Sequence, residues 1–190
     1  MVFTTPAPLG TSHIAALCAE LAPGTAPVLV ECRPDHDAPA NDCFAQVDKY
    51  VQRNGGECVV GWALWEIPHV MLEAEFHAVW QRPEDGQLID LNPREFSFPQ
   101  IHFLPDPVRT YEGRQVDNVR RVLCNDTKLK QFIYLKGRQF ALMNAGNLAN
   151  HHGVIDRSVA SVRLIKECNA ITKQLNALIP SLAKLSRSRQ

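Results

Sequence analysis

Paired cysteines, phosphate-cradling glycines, metal-ligand spacings and membrane-length apolar runs are all missing from this 190-residue chain, and each absence removes a class of function. The six cysteines, Cys18, Cys32, Cys43, Cys58, Cys124 and Cys168, have no paired spacing. No disulfide framework is expected, and most of them read as small core hydrophobes. Gly55-Gly56 and Gly61 form neither G-x-G-x-x-G nor a Walker pattern, which leaves nucleotide binding without support. Cys58, His69, His77, Asp90 and the His151-His152 pair have the chemistry of metal ligands but not C-x2-C or H-E-x-x-H spacing, so neither a metal nor another cofactor is expected. No run approaches the roughly 18 to 20 apolar residues of a membrane span, and the start, Met1 to Pro6, lacks a basic stretch leading into an apolar one. The expectation is a cytoplasmic chain with no membrane partner.

Net charge is missing too: 20 Lys and Arg balance 20 Asp and Glu. There is no global basic excess of the kind a nucleic-acid binder carries. The balance conceals a division, however. Residues 1–110 hold 15 acids against 6 bases, and residues 111–190 hold 5 against 14. Two complementary sections are therefore expected: an α+β core over 1–110 and a mainly helical, basic section over 111–190 packed on it.

What is present is patterning. Thr11-Ser12 opens a short helix ending at Pro23-Gly24, and Pro27 to Cys32 reads as a strand. Residues 33–42, with two prolines and four Asp or Asn, form a loop. From Cys43 the apolar residues Phe44, Val47, Tyr50 and Val51 recur at helical steps, with Asn41 or Asp42 as cap and Asn54-Gly55-Gly56 as terminator. Residues 58–67, 72–81 and 87–91 read as strands, the last two joined as a hairpin across Pro83-Glu84-Asp85-Gly86. Prolines 93, 99, 105 and 107 break the next stretch into extended pieces, and helix potential resumes near Asp117. Residues 131–142 fit either a hairpin turning at Lys136-Gly137 or a helix containing that glycine. The seam of Leu164, Cys168, Ile171, Leu175, Leu178, Leu182 and Leu185 predicts a long amphipathic helix, kinked or ended near Ile179 by Pro180. A homodimer through residues 164–185 is one use for that seam.

The chemistry lies in an order of residues. Cys43 stands at a helix start, where unpaired N–H groups and the helix dipole favour a thiolate and can also receive an oxyanion. Alternation along Glu75-Phe76-His77-Ala78-Val79-Trp80 sets His77 on a face with Glu75 and Val79, opposite Phe76, Ala78 and Trp80. If Arg82 pairs with Gln87, paired positions sum to 169, which brings both Asp90 and Asn92 to the histidine's face. That arithmetic does not separate them as orienter of the ring.

The stretches Asn41-Asp42-Cys43-Phe44, His77-Ala78-Val79-Trp80 and Ile89-Asp90-Leu91-Asn92-Pro93 resemble, in order and spacing, the transglutaminase-like branch of the papain-like cysteine hydrolases. The resemblance covers roughly residues 41–93 and implies a Cys43, His77, Asp90 triad. Two departures are visible: the tryptophan sits three places after the histidine instead of two, and Leu91-Asn92 separates the acid from Pro93, which keeps Asn92 open as the third residue.

The expectation is thus an α+β fold in which a cysteine-bearing helix packs on an antiparallel sheet, followed by a mainly helical section. The expected activity is thiol-dependent acyl transfer on a peptide, a protein side-chain amide or a small amide or ester. His77 serves as base then acid, Asp90 as orienter, and the Cys43 N–H with the Asn41 side chain as oxyanion site. The competing expectation is a non-catalytic binding or assembly protein on the same scaffold, using the C-terminal heptad helix and basic surface.

Overall fold

Residues 4–35, 37–151 and 159–189 are described in the computed structural model. The fold is mixed α+β; the described residues form four α-helices, a short 3-10 turn at Gly146–Asn150 and one seven-stranded sheet. Its elements are β1 (Thr5–Pro6), α1 (Ser12–Leu21), β2 (Val28–Cys32), α2 (Cys43–Asn54), β3 (Glu57–Ile67), β4 (Met71–Gln81), β5 (Leu88–Asp90), β6 (Gln100–Pro105), β7 (Val119–Val122), α3 (Thr127–Met143) and α4 (Val162–Arg187). The chain divides into two compact units. One comprises Pro6–Trp65 and Ala74–Glu112, and the other includes Glu66–Glu73 and Gly113–Gln190. The turn between β3 and β4 therefore belongs with the helical part of the chain, and the later division falls after Glu112.

The sheet order is β1-β3-β6-β2-β5-β4-β7, and β3 also pairs with β4. Strands β3, β6, β2, β5 and β4 thus form a closed cycle of pairings. The β4–β5 register, Trp80 with Ile89 and Gln81 with Leu88, is the one whose positions sum to 169. The sheet is not wholly antiparallel: β2 runs parallel to β5 and antiparallel to β6. Strand β6 lies in a region expected only to be extended pieces. The prolines that obscured it sit at its end and flanks, Pro99, Pro105 and Pro107, while Ile101, Phe103 and Leu104 are buried. It packs close to β3 at Gly61, where any side chain would collide with the Leu104 carbonyl and the Phe103 ring.

Alternation divides β4 as its sequence implied. Val79 packs with Val30, Ala63, Trp65, Ile101 and Phe103. Ala78 and Trp80 pack with Val47, Ile89 and Leu91, and the apolar stripe of α2, Phe44, Tyr50 and Val51, lies against them. Helix α2 ends at Gly55 and Gly56, both at positive φ; at Gly56 a side chain would strike the Gln81 carbonyl and the Trp80 indole nitrogen.

In the other unit, Asp126 caps α3 by accepting from the Leu129 N–H at 3.0 Å, and Gly137 lies inside that helix, which removes the hairpin alternative. The helix near Asp117 is not there: Val119–Val122 is β7, a short β-branched stretch. Helix α4 runs through Pro180 without ending. Its last turns are held beyond the proline by Leu182, which is buried, and by the Ser186 hydroxyl donating to the Pro68 carbonyl at 2.9 Å. Ile171, Leu175 and Leu182 of the heptad seam pack with Leu129, Phe132 and Leu135 of α3 and with Ile67, Val70 and Met71. Those three seam positions are covered within the chain, not presented to a second copy. No helix among the described residues is long and apolar enough to cross a membrane.

Candidate active site

Cys43 is the first residue of α2, half-buried. Asp42 occupies the cap position, but its side chain makes no capping bond, and Asn41 before it is exposed with φ 64. The first-turn N–H groups are thereby left to another acceptor. Phe44 stacks on Tyr111 with ring centroids 3.7 Å apart and meets Phe76 at 5.3 Å. Burial and then the charge of Cys43 push the Tyr111 hydroxyl up to about 12, which places it near the thiol.

His77 and Asp90 have no exposed surface. Nε2 of His77 donates to Oδ1 of Asp90 at 2.9 Å, so the ring is fixed by the residue diagonal to it across the β4–β5 pair, Asp90 itself standing in register with Val79. Asn92, the other candidate, contributes through its backbone: its N–H donates to the same Asp90 oxygen at 3.0 Å, while its side-chain Oδ1 is buried without a partner. The Cys43 thiol approaches the imidazole closely enough to favour its charged form. The contact is not a well-formed hydrogen bond in this state, because Nδ1 of His77 is buried with no partner of acceptable geometry. With Nε2 held by Asp90, Nδ1 is the ring nitrogen left for a further partner.

Three further residues complete the site, and their role was not read from the sequence. Arg94 spans two carboxylates, donating through Nη2 to Asp90 Oδ2 at 3.2 Å and through Nη1 to Glu75 Oε2 at 3.1 Å. Its guanidinium lies 4.6 Å from the Trp65 ring centre, and Trp65 donates its indole N–H to the same Glu75 oxygen at 2.8 Å. With His77 protonated, the cluster holds two positive and two negative charges. Burial opposes the His77 charge, yet the Asp90 carboxylate and Cys43 beside it together outweigh that and raise the imidazole to about 10. Burial likewise opposes ionised Asp90, but His77, Arg94 and the Asn92 N–H hold its carboxyl at about 2. Glu75 is lowered against its burial by Arg94 and His77.

The sequence did carry a signal for two of these. Alternation set Glu75 on the face of His77, and Arg94 is one of only 6 bases among the 15 acids of residues 1–110, four positions after Asp90. Cys32 also reaches the cluster, its thiol 4.0 Å from Asp90 Oδ2, but burial and that carboxylate push it up to about 12, which makes it a poor nucleophile. Burial and the charges of Asp48 and Cys43 push Cys58 up to about 11.

Among the described residues no three His, Cys, Asp or Glu side chains form a group that could hold a metal ion; His152 lies outside them. The arrangement brings a thiol at an uncapped helix start to a buried imidazole whose far nitrogen is held by an ionised carboxylate. Compared with known proteins, the chain matches no family model, no curated protein and no solved structure.

Proposed function

We propose that the chain is a thiol-dependent acyl-transfer enzyme acting on an amide or ester through Cys43, His77 and Asp90. The observation that carries this reading is the His77 Nε2 to Asp90 Oδ1 bond at 2.9 Å, which fixes the tautomer and leaves Nδ1 for Cys43. In the first step the Cys43 sulfur, its proton already held on His77 Nδ1 as the imidazolium that Asp90 favours, attacks the carbonyl carbon. The oxyanion is received by the Cys43 N–H and the adjoining first-turn N–H groups, with Asn41 beside them. Collapse breaks the C–N or C–O bond as His77 returns its proton to the leaving group, and a thioester remains. Water or an amine then attacks the thioester, His77 takes its proton, and collapse breaks the C–S bond, returning the Cys43 sulfur beside the His77 imidazolium. Asp90 stays ionised throughout and stabilises the imidazolium. A peptide, a protein side-chain amide and a small amide all meet these requirements.

The test is labelling with a thiol-reactive acyl probe at neutral pH. The expected result is stoichiometric modification of Cys43, slowed about 100-fold or more in His77→Ala. Sluggish labelling, no faster than that of Cys124 or Cys168, overturns the proposal. A second reading has its own support, since His77 and Asp90 are wholly buried and His77 Nε2 and the Asp90 carboxylate serve one another. On that reading the cluster is structural, and the protein is a binding or assembly scaffold that uses its basic C-terminal section.

A further inference from the structure

Glu75 stands two residues before His77 on β4, on the same face of the strand. Two donors arrive at its Oε2, the Trp65 indole N–H at 2.8 Å and Nη1 of Arg94 at 3.1 Å. An amide oxygen would accept from both, so these bonds alone do not call for a charge. Arg94 shows what the charge does. Its Nη2 donates to Asp90 Oδ2 at 3.2 Å and lies 3.4 Å from His77 Nε2, the nitrogen that already donates to Asp90 Oδ1 at 2.9 Å. The guanidinium thus sets one positive charge against another and draws on the same carboxylate that holds the imidazolium. Asp90 and Arg94 alone would cancel, leaving His77 without a net countercharge.

Glu75 changes that balance. Among the described residues, the titratable and charged groups around His77 are Glu75 on its own strand, Asp90 at the end of β5, Arg94 beyond it, Cys32 of β2 against Asp90, and Cys43 at the start of α2. Two carboxylates and one guanidinium leave one negative charge, which an imidazolium completes and a neutral imidazole does not. We propose that Glu75 is a positioning residue of the site: by engaging Arg94 it leaves the Asp90 charge to His77 and so keeps the imidazole protonated. The use of that charged ring to hold Cys43 as a thiolate rests on the acyl-transfer reading; the protonation itself does not. Burial opposes the Glu75 charge, yet Arg94 and then His77 hold its carboxyl below its ordinary value, and an attraction between two charges acts on both partners.

The experiment is nitrogen-15 NMR of the His77 ring in the full-length protein, titrated from about pH 6 to about pH 11, with alkylation of Cys43 by iodoacetamide followed over the same range. Glu75→Gln keeps the shape and the hydrogen bonds but loses the charge. In it the His77 midpoint should fall by about one pH unit or more, a tenfold loss of proton affinity, and alkylation near neutral pH should slow by a similar factor. Glu75→Asp keeps the charge but shortens the reach, and should stay nearer the wild type on both readouts. Glu84→Gln, which removes an exposed carboxylate from the β4–β5 turn, should move neither. An unmoved midpoint in Glu75→Gln overturns the proposal, as does a larger fall in Glu75→Asp, which would assign Glu75 to holding Trp65 and Arg94 in place. An equal fall in Glu84→Gln overturns it too. The ring titration is read whether or not the thiol reacts, so sluggish Cys43 in the wild type ends the acyl-transfer reading alone, and an unmoved ring ends this one alone.

Discussion

In the unit of Pro6–Trp65 and Ala74–Glu112, the interior beside β4 contains His77 and Asp90, with Arg94 and Glu75 packed against them. In the helical unit the interior consists of residues such as Ile67, Met71, Leu129, Phe132, Ile171, Leu175 and Leu182, and the buried polar side chain among its described residues is Ser186. The helical unit has ion pairs too, and one of them, Arg120 with Glu73 at 2.9 Å, is nearly buried; what it lacks among its described residues is a pair enclosed as completely as His77 with Asp90. Ions lose several kcal/mol of hydration on burial, and a well-packed apolar replacement is often at least as stable. What sets the first interior apart is therefore the wholly enclosed His77–Asp90 pair, for which folding alone gives no need. That contrast supports a functional reason for the charges around His77, and it makes the two interiors respond differently to substitution.

The largest effect is expected from Arg94→Met. It leaves Asp90 and Glu75 with one cation between them in a buried site, and should lower stability by about 3–5 kcal/mol in denaturant unfolding. Adding Glu75→Gln should restore part of the loss, because it removes the carboxylate left uncompensated. A loss under about 1 kcal/mol from Arg94→Met would put this cluster on the same footing as a surface ion pair and erase the difference between the two interiors.

The pH dependence arises from the same groups. His77 is raised to about 10 in the folded chain against about 6.5 unfolded. Its stabilising contribution is fully present below pH 6.5 and is lost as pH climbs from there to about 10. Asp90 is lowered to about 2, so its contribution is present above about pH 4 and is lost as pH falls through 2. Unfolding midpoints between pH 6 and 10 should therefore decline in the wild type, and the decline should flatten in Asp90→Asn, which lacks the carboxylate that raises the imidazole. The same substitution should slow Cys43 labelling, whereas Asn92→Ala, whose backbone N–H survives, should leave labelling nearly unchanged. An undiminished slope in Asp90→Asn would mean that another group sets the charge of His77.

The helical interior should behave as plain packing. Leu175→Ala removes a buried side chain from between α3 and the rest of α4 and should cost about 2–5 kcal/mol, with no change in Cys43 labelling. A change in labelling would show that the helical unit contributes to the thiol site.

Much of the site is legible in the sequence because its order obeys local rules. The apolar stripe at 44, 47, 50 and 51 and the glycines at 55 and 56 define α2 around Cys43, and the four-residue turn sets the β4–β5 register. Alternation then puts Glu75 and His77 on one face. What local rules do not reach is the partner that a side chain finds across the fold. Arg94 comes directly after a proline in a stretch with no periodicity, so nothing nearby marks it as the cation between Asp90 and Glu75. The choice of Asp90 over Asn92 turns on a diagonal contact that register alone leaves open. Strand β6 and the passage of α4 through Pro180 depart from expectation for one reason: proline's local preference is overridden by burial of Ile101, Phe103 and Leu182.

Pro180 supplies the smallest predicted effect and tests that override. A proline inside a helix lacks the N–H that would bond the Asn176 carbonyl, and its ring crowds the same carbonyl, a penalty of up to about 3 kcal/mol relative to alanine. Part of that is returned, because proline also restricts the unfolded chain. Helix α4 continues only because the turns beyond Pro180 are anchored at Leu182 and Ser186. Pro180→Ala should therefore stabilise the chain by about 1–3 kcal/mol, raise its denaturant midpoint and leave Cys43 labelling as it was. Loss of stability would reverse the argument. It would mean that α4 is bent at Pro180 to fit α3, that a straight helix packs worse, and that the proline belongs to the design of the helical interior and is not merely tolerated by it.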